Sequence, residues 1–305
     1  MRTLDRRGLE QVSAGIVLQA YIPDSFLWQQ RLHAWARERV AKGNADITMR
    51  IVKGANMEME RFEAAVKGWP QAPFETKADT DANYKRMLHE GFRPENLAAV
   101  KLGVASHNLF DVAYALTLAR NNQAMEQVQF EMLEGMANHQ RRALFEEAPH
   151  LLLYAPVCHK EHFLSAIGYL IRRLDENTGP ENFLRHTFKL VPGSEEWRKL
   201  EQGFRAAFTR LDTLSAAPRR TQDRRDLRQS ARPPDAFVNE PDTDWSLPHH
   251  AEWARDIVTA WEKRCVEVAL VIDGAEITGA RRMRDCLDPS RPGVVVGRYL
   301  QASRQ

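Results

Sequence analysis

Five short apolar runs punctuate the first 190 residues, at 15–21, 47–53, 99–105, 128–133 and 151–155. Each has the length and aliphatic or β-branched content of a buried strand. Between them, residues 25–42, 79–90, 109–122 and 137–147 repeat apolar positions at helical spacing. Strand–helix alternation of this kind implies an α/β fold with a parallel sheet and right-handed crossovers. About five βα units are present, where eight would close a barrel.

The pattern changes after Leu190. Residues 195–214 read as a helix with Trp197, Leu200, Phe204, Phe208 and Leu211 on one stripe. Residues 218–234 hold six Arg against two Asp, which suits a solvated linker or a patch for an anionic partner. A turn-rich stretch at 240–248 leads to a helical pattern at 249–263. Residues 266–272 then read as a strand ending at the turn Asp273-Gly274. A further turn and strand fill 289–299. Three parts result, at 1–190, 191–234 and 235–305, with no internal repeat.

Composition adds bounds. The 305 residues are 43% hydrophobic, an ordinary globular balance. No apolar run is long enough for a transmembrane helix, and the start lacks the apolar core of a signal peptide. Cys158, Cys265 and Cys286 are far apart, a usage that fits a reducing cytoplasm better than a disulfide scaffold. The net charge of +2 gives no reason to expect nucleic acid.

Polar residues recur where the strands end: Gln19 and Tyr21, Arg50 and Lys53, Ser106-His107-Asn108, Glu131, and Tyr154. Polar groups inside apolar runs cost free energy unless paired. Each alone can be a helix cap, whereas together they suggest a site. Gly54-Ala55 would let the backbone approach a flat ligand. Arg50 and Lys53 beside it suit a cofactor with phosphates or an electron-rich ring. His107 fits a base, a ligand hydrogen-bonder or a satisfied strand-end histidine. No metal is expected, since no second His or Cys stands at metal spacing.

In the helical pattern from about 161 to 177, Tyr169, Arg172, Arg173 and Glu176 share one face. Phe163, Ile167, Leu170 and Leu174 suit its buried stripe. Adjacent arginines are commonly solvated. Two guanidinium groups held by a carboxylate would also make a clamp for a small carboxylate substrate. Tyr154 and Tyr169 would then wall an aliphatic ring.

Several of these segments, in this order, resemble proline dehydrogenase over roughly residues 13–190. They are Arg50-Ile-Val-Lys-Gly-Ala55, Lys77-Ala-Asp-Thr-Asp-Ala-Asn-Tyr84, Ala105-Ser-His-Asn108, Phe130-Glu-Met-Leu-Glu-Gly-Met136, Tyr154-Ala-Pro-Val157 and Tyr169-Leu-Ile-Arg-Arg-Leu-Asp-Glu-Asn177. From about Phe237 the chain resembles the opening of a glutamate-semialdehyde (Δ1-pyrroline-5-carboxylate) dehydrogenase. Asn239-Glu-Pro-Asp-Thr-Asp-Trp245 and Asp288-Pro-Ser-Arg-Pro292 carry that likeness. Together they imply the last five or so βα units of a (βα)8 TIM-type barrel. A helical and basic linker and the N-terminal piece of an aldehyde dehydrogenase-like domain would follow.

The resemblance implies FAD-dependent oxidation of L-proline to Δ1-pyrroline-5-carboxylate. In the complete bifunctional enzyme this is coupled to NAD-dependent oxidation of the semialdehyde to glutamate. It assigns Arg172 and Arg173 to the proline carboxylate, Glu176 to their orientation, and Tyr154 and Tyr169 to the substrate ring. It assigns Gln19, Arg50, Val52, Gly54, Ala55, His107, Asn108 and Leu133 to the flavin. Further implied partners are a quinone or other electron acceptor, a membrane surface for the parent enzyme, and an oligomer, with a cytoplasmic location.

Asn56-Met57 replaces a common Tyr-Trp, and Glu131 stands where Gln is common. The chain reads as an internal piece of a longer protein, expected to be inactive and to bind FAD poorly alone. Two other classes fit parts of the pattern: a non-catalytic interaction or regulatory half-barrel, and an unrelated barrel flavoenzyme. The latter explains strand-end polarity but not the Tyr, Arg-Arg, Glu face.

Overall fold

The computed structural model describes residues 2–179, 182–187, 190–226, 237, 239–277 and 282–302. They fall into two compact units, residues 1–220 and 221–305.

The first unit is built on five parallel strands in sequential order: β1 (Gly15–Gln19), β2 (Ile47–Val52), β3 (Val100–Ala105), β4 (Val128–Leu133) and β5 (Leu151–Tyr154). Sequential parallel order follows from a helical crossover after each strand. Helices Ser25–Ala41, Lys77–Gly91 and Leu109–Asn121 supply three of these crossovers. Along β2, buried Ile47, Met49 and Ile51 alternate with half-buried Thr48, Arg50 and Val52. The period of two gives the sheet one closed face and one open face. On the closed face, Leu102, Val104 and Phe130 join Ala36, Tyr84, Met87, Leu88 and Ala115 of the helices in one core. β1 and β5 are the sheet's edge strands.

The helix expected at 195–214 runs Glu195–Ala206 and tightens into a 3-10 turn at Ala207–Arg210. It lies in the first unit, where Trp197, Phe204 and Phe208 pack on Phe110 and Tyr114. The stripe expected to be buried on the helix after β5 (Phe163–Thr178) is largely exposed: Phe163 at 60%, Leu170 at 41% and Leu174 at 57%. That helix leans mainly on the short Phe183–Thr187 helix and the turn before it, which leaves the stripe without a cover.

In the second unit, helix Pro248–Trp261 precedes β6 (Val266–Val268), β7 (Leu270–Ile272), β8 (Ala275–Ile277), β9 (Met283–Leu287) and β10 (Val295–Leu300). The single strand expected at 266–272 is two strands in two sheets. β6 pairs with β10, while the turn at Asp273 and Gly274, both at positive φ, folds β7 onto β8. Asp223, His249 and His250 hold potential ligand atoms within 4.8 Å of one another. His250 Nδ1 and Nε2 already meet the Asp244 carbonyl and the Arg224 N–H, and His249 Nε2 meets the Gln222 carbonyl.

The arginines of 218–226 are folded onto their own units. Arg219 pairs with Glu75, Arg220 lies over Trp69, Arg224 holds Glu240, and Arg225 holds Asp256. The rest of the basic stretch, 227–234, is outside the described residues.

Candidate active site

Parallel strands place all their C-terminal ends on one rim. There, the open face of the sheet and the helix after β5 border a cleft of about 410 Å³. Gln19, Arg50, Val52, Gly54, Ala55, His107, Asn108, Leu133, Tyr154, Tyr169 and Arg173 all line it. Arg172 is exposed and lies outside this lining. The Glu176 side chain is outside the described residues.

At the centre of the rim, Arg50 Nε donates to the Glu131 carboxylate, and the guanidinium lies 4.2 Å from the Tyr154 ring centre. Gly103 on the intervening strand makes room. A Cβ there would stand 2.4 Å from Glu131 Oε1. Burial pushes the Glu131 carboxyl above its ordinary range, opposed by the hydrogen bond and charge of Arg50 and by a hydrogen bond from Tyr154. Burial, with the Glu131 charge, raises the Tyr154 phenol. Glu131 at this position therefore gives Arg50 a charge-assisted bond that a neutral amide would make more weakly.

Gly54 has a structural reason of its own. Its φ of +121° is a conformation that L side chains rarely adopt, and a Cβ would lie 2.4 Å from the Tyr21 ring. The bare face of Gly54 is covered by Tyr21, so close packing inside the protein requires this glycine. Gly54 also lines the cleft, together with Lys53, Ala55 and Asn56.

His107 Nε2 accepts the Leu133 N–H at 3.0 Å, and burial lowers the imidazole's pKa. A neutral ring with Nε2 as acceptor ties β3's end to β4's end, which is the satisfied strand-end role. Asn108 Oδ1 accepts the Phe110 N–H at 3.0 Å and caps helix Leu109–Asn121. Ser106 Oγ in turn accepts the Asn108 N–H. On the far wall the Arg173 guanidinium stands 5.1 Å from the Tyr169 ring centre, the one-turn spacing of the helix.

Sequence reading named Lys53 but missed the charges that hold it. Its ammonium bonds Asp81 and lies 2.6 Å from Asp111 Oδ2, and Lys77 reaches Asp81's other oxygen. The two carboxylates raise the Lys53 pKa against the opposing effect of its burial, and the Asp81 carboxyl is held well below its usual range by Lys53 and Lys77. The one local signal was the i, i+4 spacing of Lys77 and Asp81. Val17, Asn177, Asn182 and Phe183 also line the cleft and had not been singled out.

The family model described as proline dehydrogenase matches residues 1–186. Proline dehydrogenase 2 of Bacillus subtilis (strain 168) is 28% identical over 129 residues, 42% of this chain and 36% of that protein. Among solved structures, proline utilization A (PutA) from Corynebacterium freiburgense matches with a TM-score of 0.68 and 37% identity, over 84% of this chain and 23% of that one. PutA from Bdellovibrio bacteriovorus, inactivated by N-propargylglycine, matches with a TM-score of 0.77 and 26% identity, over 99% of this chain and 29% of that one. The chain thus spans well under half the length of each of these relatives. With a family match over more than half its residues, the chain belongs to the proline dehydrogenase family.

Proposed function

We propose that the cleft is part of a proline dehydrogenase site that takes FAD and L-proline. One observation carries the reading. Residues from all five strand ends and from the helix after β5, assigned separately by the resemblance, border one cleft.

The lining suits a planar, anionic cofactor. Arg50, Lys53 and Lys77 supply cations, while Val17, Val52 and Leu133 supply apolar contact. The cleft volume lies in the ordinary range of ligand sites. FAD, when bound, would take up the hydride from the proline carbon next to nitrogen.

The chain's own residues orient and hold. Arg50, fixed by Glu131 and stacked on Tyr154, presents a permanent positive charge where the ring would lie. Arg173 binds the substrate carboxylate through its planar fork, with Tyr169 beneath the guanidinium as support. Tyr154 and Tyr169 wall the pyrrolidine. Arg172 and Glu176 keep the clamping and orienting roles that the resemblance gives them, as part of this proposal. Gln19, Val52, Gly54, Ala55, His107, Asn108 and Leu133 shape the flavin side. His107, committed to the Leu133 N–H, acts there as a neutral hydrogen-bonding group and not as a base.

In the longer protein, residues 235–305 would open a glutamate-semialdehyde dehydrogenase that uses NAD. The likeness to the Bdellovibrio PutA runs over 99% of this chain and supports that extension. A quinone or similar acceptor would reoxidise the flavin. No helix among the described residues is long and apolar enough to cross a membrane.

Anaerobic addition of L-proline to the flavin-loaded complete protein tests the reading. The oxidised-flavin absorbance should bleach, and Arg50→Met should slow the bleaching by roughly two orders of magnitude, the effect of losing one preorganised charge. A flavin-loaded protein that proline leaves unbleached would contradict it.

A further inference from the structure

From the cleft wall inward, five charged side chains alternate in sign: Lys77, Asp81, Lys53, Asp111 and Lys85. Asp111, 1% exposed in the first turn of helix Leu109–Asn121, has Oδ2 2.6 Å from Lys53 Nζ and Oδ1 3.2 Å from Lys85 Nζ. Lys53 also bonds Asp81, which Lys77 shares. Lys53 and Lys77 line the cleft, and Asp111 and Lys85 stand behind it. Lys85 is 1% exposed, with its ammonium 4.5 and 5.4 Å from the ring centres of Phe204 and Phe208. Those rings belong to residues 195–210, past the point where the family match ends.

A lysine stem is flexible, so one acceptor fixes its length of reach and little else. Two carboxylates on two different helices, one accepting its hydrogen bond and one paired with it by charge, fix its place. Asp81 alone would divide its charge between Lys53 and Lys77. Asp111 is the second point, and it stays put only while Lys85 holds its other oxygen in a pocket that the two phenyl rings keep dry.

We propose that Asp111 is a positioning residue that fixes the Lys53 ammonium at the cleft wall, and that Lys85 beneath Phe204 and Phe208 holds Asp111 in place. Residues 195–210 thereby support the site although they do not touch the cleft. The functional meaning rests on the proposed flavin and proline cleft, but the placement of Lys53 can be measured without either ligand.

The measurement is residue-resolved acetylation of the 305-residue chain by acetic anhydride, with exposed Lys42 as the internal standard. Lys53 should react far more slowly than Lys42 in the unmodified chain. Asp111→Asn should raise the Lys53 rate about tenfold or more, because each unit of lost pKa elevation gives tenfold more free amine. That variant strands a buried ammonium, so Lys85→Met/Asp111→Asn is measured beside it. The pair removes one charge of each sign and restores a satisfied core, and Lys53 should stay fast. Phe204→Leu/Phe208→Leu should give a smaller rise, roughly threefold by the same relation. An unchanged Lys53 rate in the folded double variant overturns the proposal and leaves Asp111 a purely structural ion.

FAD titration of the same variants made in the complete protein separates the two readings. The double variant keeps the net charge, so a field effect alone predicts unchanged affinity, and lost positioning predicts weaker binding. If Lys53 responds as expected but complete wild-type protein takes no FAD, the cleft assignment fails and the positioning stands.

Discussion

Two helices of the first unit invert the usual relation between polarity and burial. Helix Lys77–Gly91 is rich in charge, yet Asp81, Asn83, Tyr84, Lys85 and Glu90 are buried along it. Helix Phe163–Thr178 carries a strong apolar stripe, yet Phe163, Leu164, Leu170, Ile171 and Leu174 are exposed. The difference lies in their neighbours. The first packs against β2 and helix Ser25–Ala41, and each buried charge finds a partner beyond the helix: Lys53 for Asp81, Asp111 for Lys85, Arg93 and Asn96 for Glu90. The second leans mainly, among the described residues, on the short Phe183–Thr187 helix and a turn. Burial follows the surface that arrives, and charge is no bar to it when the partner arrives too.

The sharpest way to break that contrast is Asp81→Ala. It leaves Lys53 with one carboxylate and Lys77 with none, and should cost about 3 kcal/mol, as breaking a buried pair does. Urea unfolding measures it, and a loss below about 0.5 kcal/mol would place the cluster among solvated surface pairs.

A change of pH sharpens the same point at the facing helix. His33 is fully buried beside Glu90, and burial pushes its imidazole down to about 4. The unfolded chain binds a proton there near pH 6.5, and the folded chain only near 4. Between those values the unfolded state holds more protons, so stability should fall as pH falls. The slope is at most about 1.4 kcal/mol per unit. Unfolding midpoints from pH 7 to 4.5 should show this decline, and His33→Gln should flatten it. An equally steep decline in that variant would assign the effect to other groups.

These pairings mark where sequence reading stopped. The five strands were legible to within a residue or two, because each apolar run has the length and aliphatic content of a buried strand. The convergence of Gln19, Arg50, His107 and Tyr154 was legible as well, since parallel strands end on a common rim. The partners of Asp81 and Asp111 were not, because both ions meet Lys53 through tertiary packing and not helical spacing. The reason for Gly54 was hidden likewise, in the ring of distant Tyr21. Strand β9, Met283-Arg-Asp-Cys-Leu287, is exposed throughout and shows no alternation to read. The apolar stripe of Phe163–Thr178 had the right period, but period names a face and not what covers it.

The smallest effect is expected on that stripe. Leu170→Ser and Leu174→Ser should each change stability by less than about 0.5 kcal/mol in the 305-residue chain, as exposed substitutions do. Thermal unfolding checks it. A loss above about 2 kcal/mol would mean that these leucines are packed, and the contrast between the helices would fall.

The central claim is that the Arg173 side chain grips the substrate carboxylate across the cleft. Steady-state kinetics of Arg173→Lys in the complete protein, with the flavin-to-protein absorbance ratio measured alongside, test it most directly. Lysine keeps the charge but loses the planar two-donor fork, a change of about 1.5–3 kcal/mol at a desolvated site. The expected result is a KM for proline raised roughly 10- to 150-fold at an unchanged flavin ratio. An unchanged KM for proline would contradict the claim and remove the carboxylate clamp.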